Sequence, residues 1–159
     1  MLTLGSRFEY STLSDFETQP TARLMWTPTT DDSLWLNWSR AARTPSLGEL
    51  NANVVLGAQP QPLAPGGVVV LRSLPAPNLR PRAERVDALE LGYRRTLSSG
   101  SLEAVLFHHD YRRLGATTMG QLDMSSPPFV QPLYRSYFAN ACTTGLELAA
   151  DINLTATLR

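Results

Sequence analysis

The sequence predicts an all-β protein, an antiparallel up-and-down sheet of the transmembrane β-barrel type, and three observations carry that expectation. Apolar and polar residues alternate at period two in segments of roughly ten residues, the length at which a tilted strand crosses a membrane. Prolines and glycines, 12 and 10 of the 159 residues, gather between those segments as turn and loop punctuation. No run approaches the roughly 20 apolar residues of a membrane helix, so a spanning chain of this kind would have to cross with strands. The pattern is clearest from Glu84 to Leu97, where Leu89, Leu91 and Tyr93 share one face and Ala88, Glu90, Gly92 and Arg94 the other. A soluble sheet would pack that apolar face in a core; a barrel would turn it to lipid and enclose the polar one.

Taken in order, Leu2 to Ser11 is a strand with Leu2, Leu4, Phe8 and Tyr10 on one face and Thr3, Gly5, Arg7 and Glu9 on the other. A polar connection, Thr12 to Gln19, leads to a second strand, Thr21 to Thr27, setting Ala22, Leu24 and Trp26 against Arg23 and Met25. Pro28 to Ser33 has turn chemistry, and Leu34 to Ala42 completes an antiparallel hairpin. A long external loop is expected over 43–83, with Val68 to Arg72 a short strand inside it. Glu84 to Leu97 is the fourth main strand, turned tightly by Ser98 to Ser101 into Leu102 to Leu114. A second long external loop is expected over 115–141. Thr143 to Ile152 then alternates Leu146, Leu148, Ala150 and Ile152 with Gly145, Glu147, Ala149 and Asp151. After a turn at Asn153 to Ala156, Thr157 begins a strand that Arg159 leaves unfinished.

Along the later chain the connections alternate between short turns and long loops, the rhythm of outer-membrane barrels with tight periplasmic turns and extended external loops. Leu89-Glu90-Leu91-Gly92 and Leu146-Glu147-Leu148-Ala149 also echo each other, each between a long loop and a short turn.

Formal net charge is zero, with 14 basic and 14 acidic residues, which points away from a nucleic-acid partner. The basic residues are arginines, the cation better suited to ordered or interior ion pairs. Cys142 is the only cysteine, so neither an intrachain disulfide nor a cysteine metal framework can form. The start has no basic region followed by an apolar stretch, so a signal peptide is not visible. For an exported barrel, that leads to the expectation of a piece from a longer chain.

Trp38-Ser39-Arg40-Ala41-Ala42-Arg43-Thr44-Pro45-Ser46 resembles a stretch of TonB-dependent outer-membrane receptors, in which a Ser-Arg-Ala strand end precedes an Arg-x-Pro-Ser loop opening. Glu84 to Arg94 is similar to that family's E-x-(V/L)-x-x-x-E-x-G-(Y/W)-(R/K) strand. Phe107 to Leu114 resembles its aromatic-rich strand end, and Gly145 to Asp151 its G-x-E-(L/V) strand. Order and spacing agree across nearly the whole chain. His108 and His109 depart from the pattern, standing where an aromatic and a small polar residue are usual. The two long loops match nothing in it.

The resemblance implies a partial barrel domain over 1–159, about six to seven strands of a barrel of about 22, without the N-terminal plug. It implies a receptor, not an enzyme, in the outer membrane of a Gram-negative bacterium. The partners implied are outer-membrane lipid, a TonB energy-coupling protein acting through the missing plug region, and a small-molecule cargo such as a ferric siderophore. No cofactor is implied. As an isolated piece the sheet would be open, with unprotected edges.

Arg7, Glu9, Arg23, Glu90, Arg94, Glu147 and Asp151 are the expected polar lining of the barrel interior. They would either contact plug and substrate path or pair across strands to satisfy one another. Tyr134, Arg135, Tyr137 and Phe138 are the expected ligand-contact cluster of the second external loop, since aromatic and arginine side chains suit anionic or catecholate-like cargo. Trp26, Trp35, Trp38, Tyr10, Tyr93 and Tyr111 lie near strand ends, where a barrel carries its aromatic girdles. His108 and His109 are adjacent in a strand, so they face opposite ways and no metal site is expected. No nucleophile–base–acid frame or phosphate loop is present. The competing reading is a soluble antiparallel β-sandwich binding module of the carbohydrate type, which would share the alternation but not the loop rhythm.

Overall fold

The computed structural model describes residues 1–61, 67–77 and 81–153. Eight strands and one short helix follow in the order β1 (Leu2–Ser11), β2 (Asp15–Trp26), β3 (Asp32–Arg43), α1 (Leu47–Asn51), β4 (Val54–Pro60), β5 (Val68–Leu74), β6 (Glu84–Leu97), β7 (Gly100–Met119) and β8 (Phe129–Ile152). All eight strands belong to one sheet, ordered β1-β2-β3-β6-β7-β8-β5-β4. Six of them form the expected up-and-down meander. A sandwich needs a second sheet over the apolar face, and the eight strands supply a single open one, so the sandwich reading is set aside.

Ladder register fixes which residues share a face. Leu2, Leu24, Leu36, Leu91, Leu106 and Leu146 are successive ladder partners across all six meander strands. Each leaves between 43% and 62% of its surface exposed. This leucine face therefore has no cover within the sheet. Trp38 and Leu89 form the next row on the long-loop side, and Trp26, Leu34 and Tyr93 the next row on the short-turn side.

Both expected loops contain regular structure. The first, 43–83, holds α1 and the β4–β5 hairpin, whose β5 includes the expected Val68–Arg72 strand and pairs in parallel with Phe129–Tyr134 of β8. To reach β8 from β3, this segment passes over the ends of β6 and β7. The second, 115–141, is mostly strand, because β7 continues to Met119 and β8 starts at Phe129. Two register irregularities explain why alternation hid this. Tyr111 pairs with Ala141 and Leu114 with Ala139, an extra residue in β7, and Arg113 there has a φ of 59°. Gly115 then pairs with Tyr137, which leaves Phe138 as an extra residue in β8. Bulges shift the side-chain phase, so a strict period-two pattern ends where the strand does not.

The Thr12 to Gln19 connection is also shorter than expected: β2 begins at Asp15, with φ 64° at the tight turn. The expected strand from Thr157 lies outside the described residues.

Candidate functional site

The polar face carries the whole expected interior set. Arg23, Asn37, Glu90, Phe107 and Gly145 are one row; Arg94, Glu103 and Ala149 are another. Glu147 stands opposite Val105, Asp151 opposite Ser101, Arg7 opposite Gln19 and Glu9 opposite Glu17. Glu90 and Arg94 take partners across strands and not each other. Asn37 Nδ2 donates to Glu90 Oε2 at 3.2 Å, while Arg94 lies 4.0 Å from Glu103 and donates to Ser101 Oγ at 3.3 Å. Arg7 pairs with Glu9 at 2.9 Å along the strand.

Aromatic rings lie close against glycines on this face. A Cβ on Gly92 would come within 2.0 Å of the Trp35 ring, and one on Gly145 within 2.5 Å of the Phe107 ring. Trp35 and Tyr111 are thus polar-face residues, not members of the outer girdle; Trp26, Trp38 and Tyr93 remain on the leucine face. The two histidines separate as expected. His108 Nδ1 meets Thr144 Oγ1 at 2.7 Å, and the His109 ring lies tilted against that of Phe107, 5.1 Å between centroids, on the other side.

The leucine face also reveals how the wall is inclined. On β1 its apolar positions run from Leu2 to Tyr10, centred near Ser6, four residues towards the long-loop end from the leucine row. On β8 they run from Leu146 to Ile152, centred near Ala149, three residues towards the short-turn end. The band therefore slides about seven residues, roughly 23 Å, across five strand spacings of about 4.8 Å each. That corresponds to strands inclined by about 45°, as in membrane barrels.

At the long-loop end a chain of charges joins four elements. Arg43 of β3 donates to Glu84 of β6 at 2.8 Å and to both oxygens of Glu49 in α1 at 3.0 and 3.1 Å. Glu49 also accepts from Arg135 of β8 at 3.2 Å, and Glu84 accepts the Gly115 backbone N–H at 2.7 Å. Glu49 is placed by a capping box: Ser46 Oγ accepts from the Glu49 N–H at 3.2 Å and Glu49 Oε2 accepts from the Ser46 N–H at 2.9 Å. Arg43, then the Ser46 N–H, hold the Glu49 carboxyl down at about 2. Beside this network lies a cleft of about 480 Å³ lined by Ser46, Glu49, Leu56, Ser73, Thr117 and Arg135.

The four expected contact residues sit on strand β8, not in a loop, and do not form one cluster. Arg135 reaches Glu49, and its Nε is buried without a hydrogen-bond partner among the described residues, with Tyr137 beside it. Tyr134 faces the opposite side, its ring over Gly120, where a Cβ would come within 2.4 Å. Phe138 is the bulge residue and is 63% exposed. Arg43, Glu49 and Glu84 were not foreseen as a set, although Ser46-Leu47-Gly48-Glu49 carries the S-x-x-E capping signature in plain view.

The model of the TonB-dependent receptor-like β-barrel matches residues 1–159. The chain belongs to that family. Among solved structures it resembles the siderophore receptor PirA from Pseudomonas aeruginosa, with 21% identity and a TM-score of 0.74, over 98% of this chain and 28% of that one. It likewise resembles a variant of the ferric enterobactin receptor PfeA from Pseudomonas aeruginosa in complex with enterobactin, with 18% identity and a TM-score of 0.78, over 98% of this chain and 23% of that one. The chain thus spans about a quarter of the length of these receptors. Comparison with curated proteins returned no match.

Proposed function

We propose that this chain is part of the wall of an outer-membrane receptor that imports siderophore-bound iron or a similarly scarce nutrient. The observation that carries the reading is the family match over the whole chain, joined to a leucine face uncovered across six strands. In this reading the leucine face meets outer-membrane lipid in a Gram-negative bacterium. The polar face, from Arg7 to Asp151, lines the interior against a plug domain, through which a TonB coupling protein supplies energy. The intact receptor of which it forms part binds and passes cargo; in this reading the chain does not catalyse a reaction and does not bind nucleic acid.

The cargo is a small molecule with anionic groups, met at the long-loop end. Arg135 and Tyr137 are the better-placed of the expected contact residues, since Arg135 lines the α1 cleft and Tyr137 adjoins Arg135. Iron uptake by cells expressing the intact receptor tests this. Uptake of a labelled ferric siderophore should fall to background when the receptor or the coupling protein is deleted. Uptake unchanged by either deletion would overturn it.

A further inference from the structure

A second cleft, of about 380 Å³, continues the α1 cleft away from the wall. Ladder register shows how the two join. On the face of β8 that carries Arg135, the successive rows are Arg135 with Thr117, Leu133 with Met119 and Ser73, Gln131 with Leu71, and Phe129 with Val69 and Gln59. Leu133 borders the first cleft and its row partner Met119 the second. Arg135 to Phe129 is a run of strand about 20 Å long. The groove belongs to the polar side of the wall, because Arg135 shares Glu49 with Arg43, which stands on the same face of β3 as Asn37.

Its chemistry changes along its length. The near end has the Arg135 guanidinium and Glu49. The far end is walled by Val69, Leu71, Met119, Leu122 and Met124, and no charged side chain lines it among the described residues. Met119 and Met124 leave 74% and 62% of their surface uncovered. The polar groups there are the amides of Gln59, Gln61 and Gln131, and Gln131 Nε2 already donates to the Gly120 carbonyl at 2.8 Å. Asp123 and Val130 exchange main-chain hydrogen bonds at 2.8 and 3.0 Å, which ties the segment bearing Leu122 and Met124 to β8 as the rim.

We propose that this groove selects an amphiphilic cargo, with an anionic head at Arg135 and, joined to it through an amide, an aliphatic acyl tail in the Met119–Met124 cleft. The inference rests on the import reading above and narrows its cargo. Three features choose this occupant. Bilayer lipid meets the opposite face of the wall, so the groove is not lipid-facing. A wholly anionic ligand finds no cation beyond Arg135, whereas an uncharged chain loses nothing there and gains by leaving water. Methionine side chains adapt to a flexible chain, and both clefts lie within the roughly 300–1,000 Å³ of small-molecule sites.

The test uses the full-length receptor that carries this wall, labelled with carbon-13 at its methionine methyl groups and folded in detergent, with folding verified by heat-sensitive gel migration. The probes are N-hexanoylglycine and N-acetylglycine, which share a carboxylate and an amide and differ only in the length of the acyl chain. The Met119 and Met124 resonances, assigned with Met119→Leu and Met124→Leu, should shift saturably, with N-hexanoylglycine binding at least about tenfold more tightly. Met25, within the wall, should not respond. Leu122→Asp, outside the strands, should cut the preference to about threefold or less, and Met119→Gln should do so if the Leu122 change disturbs folding. Arg135→Gln should weaken both probes alike. Equal affinity for the two probes, a preference untouched by the Leu122 and Met119 changes, or a loss at Arg135→Gln confined to N-hexanoylglycine overturns the proposal. Tighter binding of N-acetyl-dileucine amide than of N-hexanoylglycine makes this a peptide groove and equally overturns it. Methyl shifts report binding whether or not transport follows, so the groove can fail while coupled iron uptake stands, or stand while uptake fails.

Discussion

Through the wall, from Thr21 to Ser39 and from Ala88 to His109, the ladders run without a register break and almost nothing is buried. At the long-loop end the pairing is broken twice, one hairpin joins in parallel, and the buried residues Ser14, Glu17, Pro45, Val69, Ala83 and Phe129 collect there. The first region is held by main-chain hydrogen bonds and relies on its surroundings to cover its apolar side. The second is held by its own side chains, through a charge network and a small core. Each region should consequently fail under a different insult.

The largest effect should come from placing a charge in the leucine row. Leu91→Lys should cost about 2–4 kcal/mol of folding free energy in lipid if that row lies near the bilayer midplane. Denaturant titration of the receptor in bilayers measures it; no change would mean that the row is not lipid-facing. Next is Gly92→Val, which must displace the Trp35 ring across the strand. A loss of about 1–3 kcal/mol is expected, with altered tryptophan fluorescence as its signature.

At the other end Arg43→Gln removes the cation shared by Glu49 and Glu84. Because Arg43 is half exposed, the cost should be about 1 kcal/mol or less, and it should be local. Amide exchange should accelerate in α1 and β4 while the wall stays protected. Loss of protection throughout would dissolve the distinction between the regions. Acidification sharpens it further. A carboxyl whose folded pKa is depressed stabilises fully above its unfolded value of about 4.5 and loses that contribution as pH falls through about 2. Spin labels at Ala52 and Thr118 should therefore hold a narrow distance distribution at pH 5 and broaden as pH approaches 2. Labels within the wall should not respond. The smallest effect is expected for Gln61→Lys just past the end of β4, within about 0.5 kcal/mol of wild type.

The same contrast governs what could be read from residues alone. Wherever one face is uniformly apolar, as in Leu89-Glu90-Leu91 or Leu146-Glu147-Leu148, side-chain phase reports strand, face and register together. All seven expected interior residues fall on one face for that reason. Past Arg113 and Phe138 the phase slips, and Tyr134 to Phe138 read as a loop although they extend a strand. The long-range partners are a second gap. Arg43 and Glu49 are six residues apart and foreseeable from the capping motif, but Arg135 joins them from 86 residues away, which no local pattern encodes.

The parallel union of β5 with β8 has a geometric consequence. It occupies the second edge of β8 from Phe129 to Tyr134 and, among the described residues, leaves that edge vacant from Arg135 to Ile152. A further strand recruited beside β8 could zip upward only until it met the hairpin. β4 and β5 therefore act as a doorstop, setting the height at which a next stave beside β8 would end.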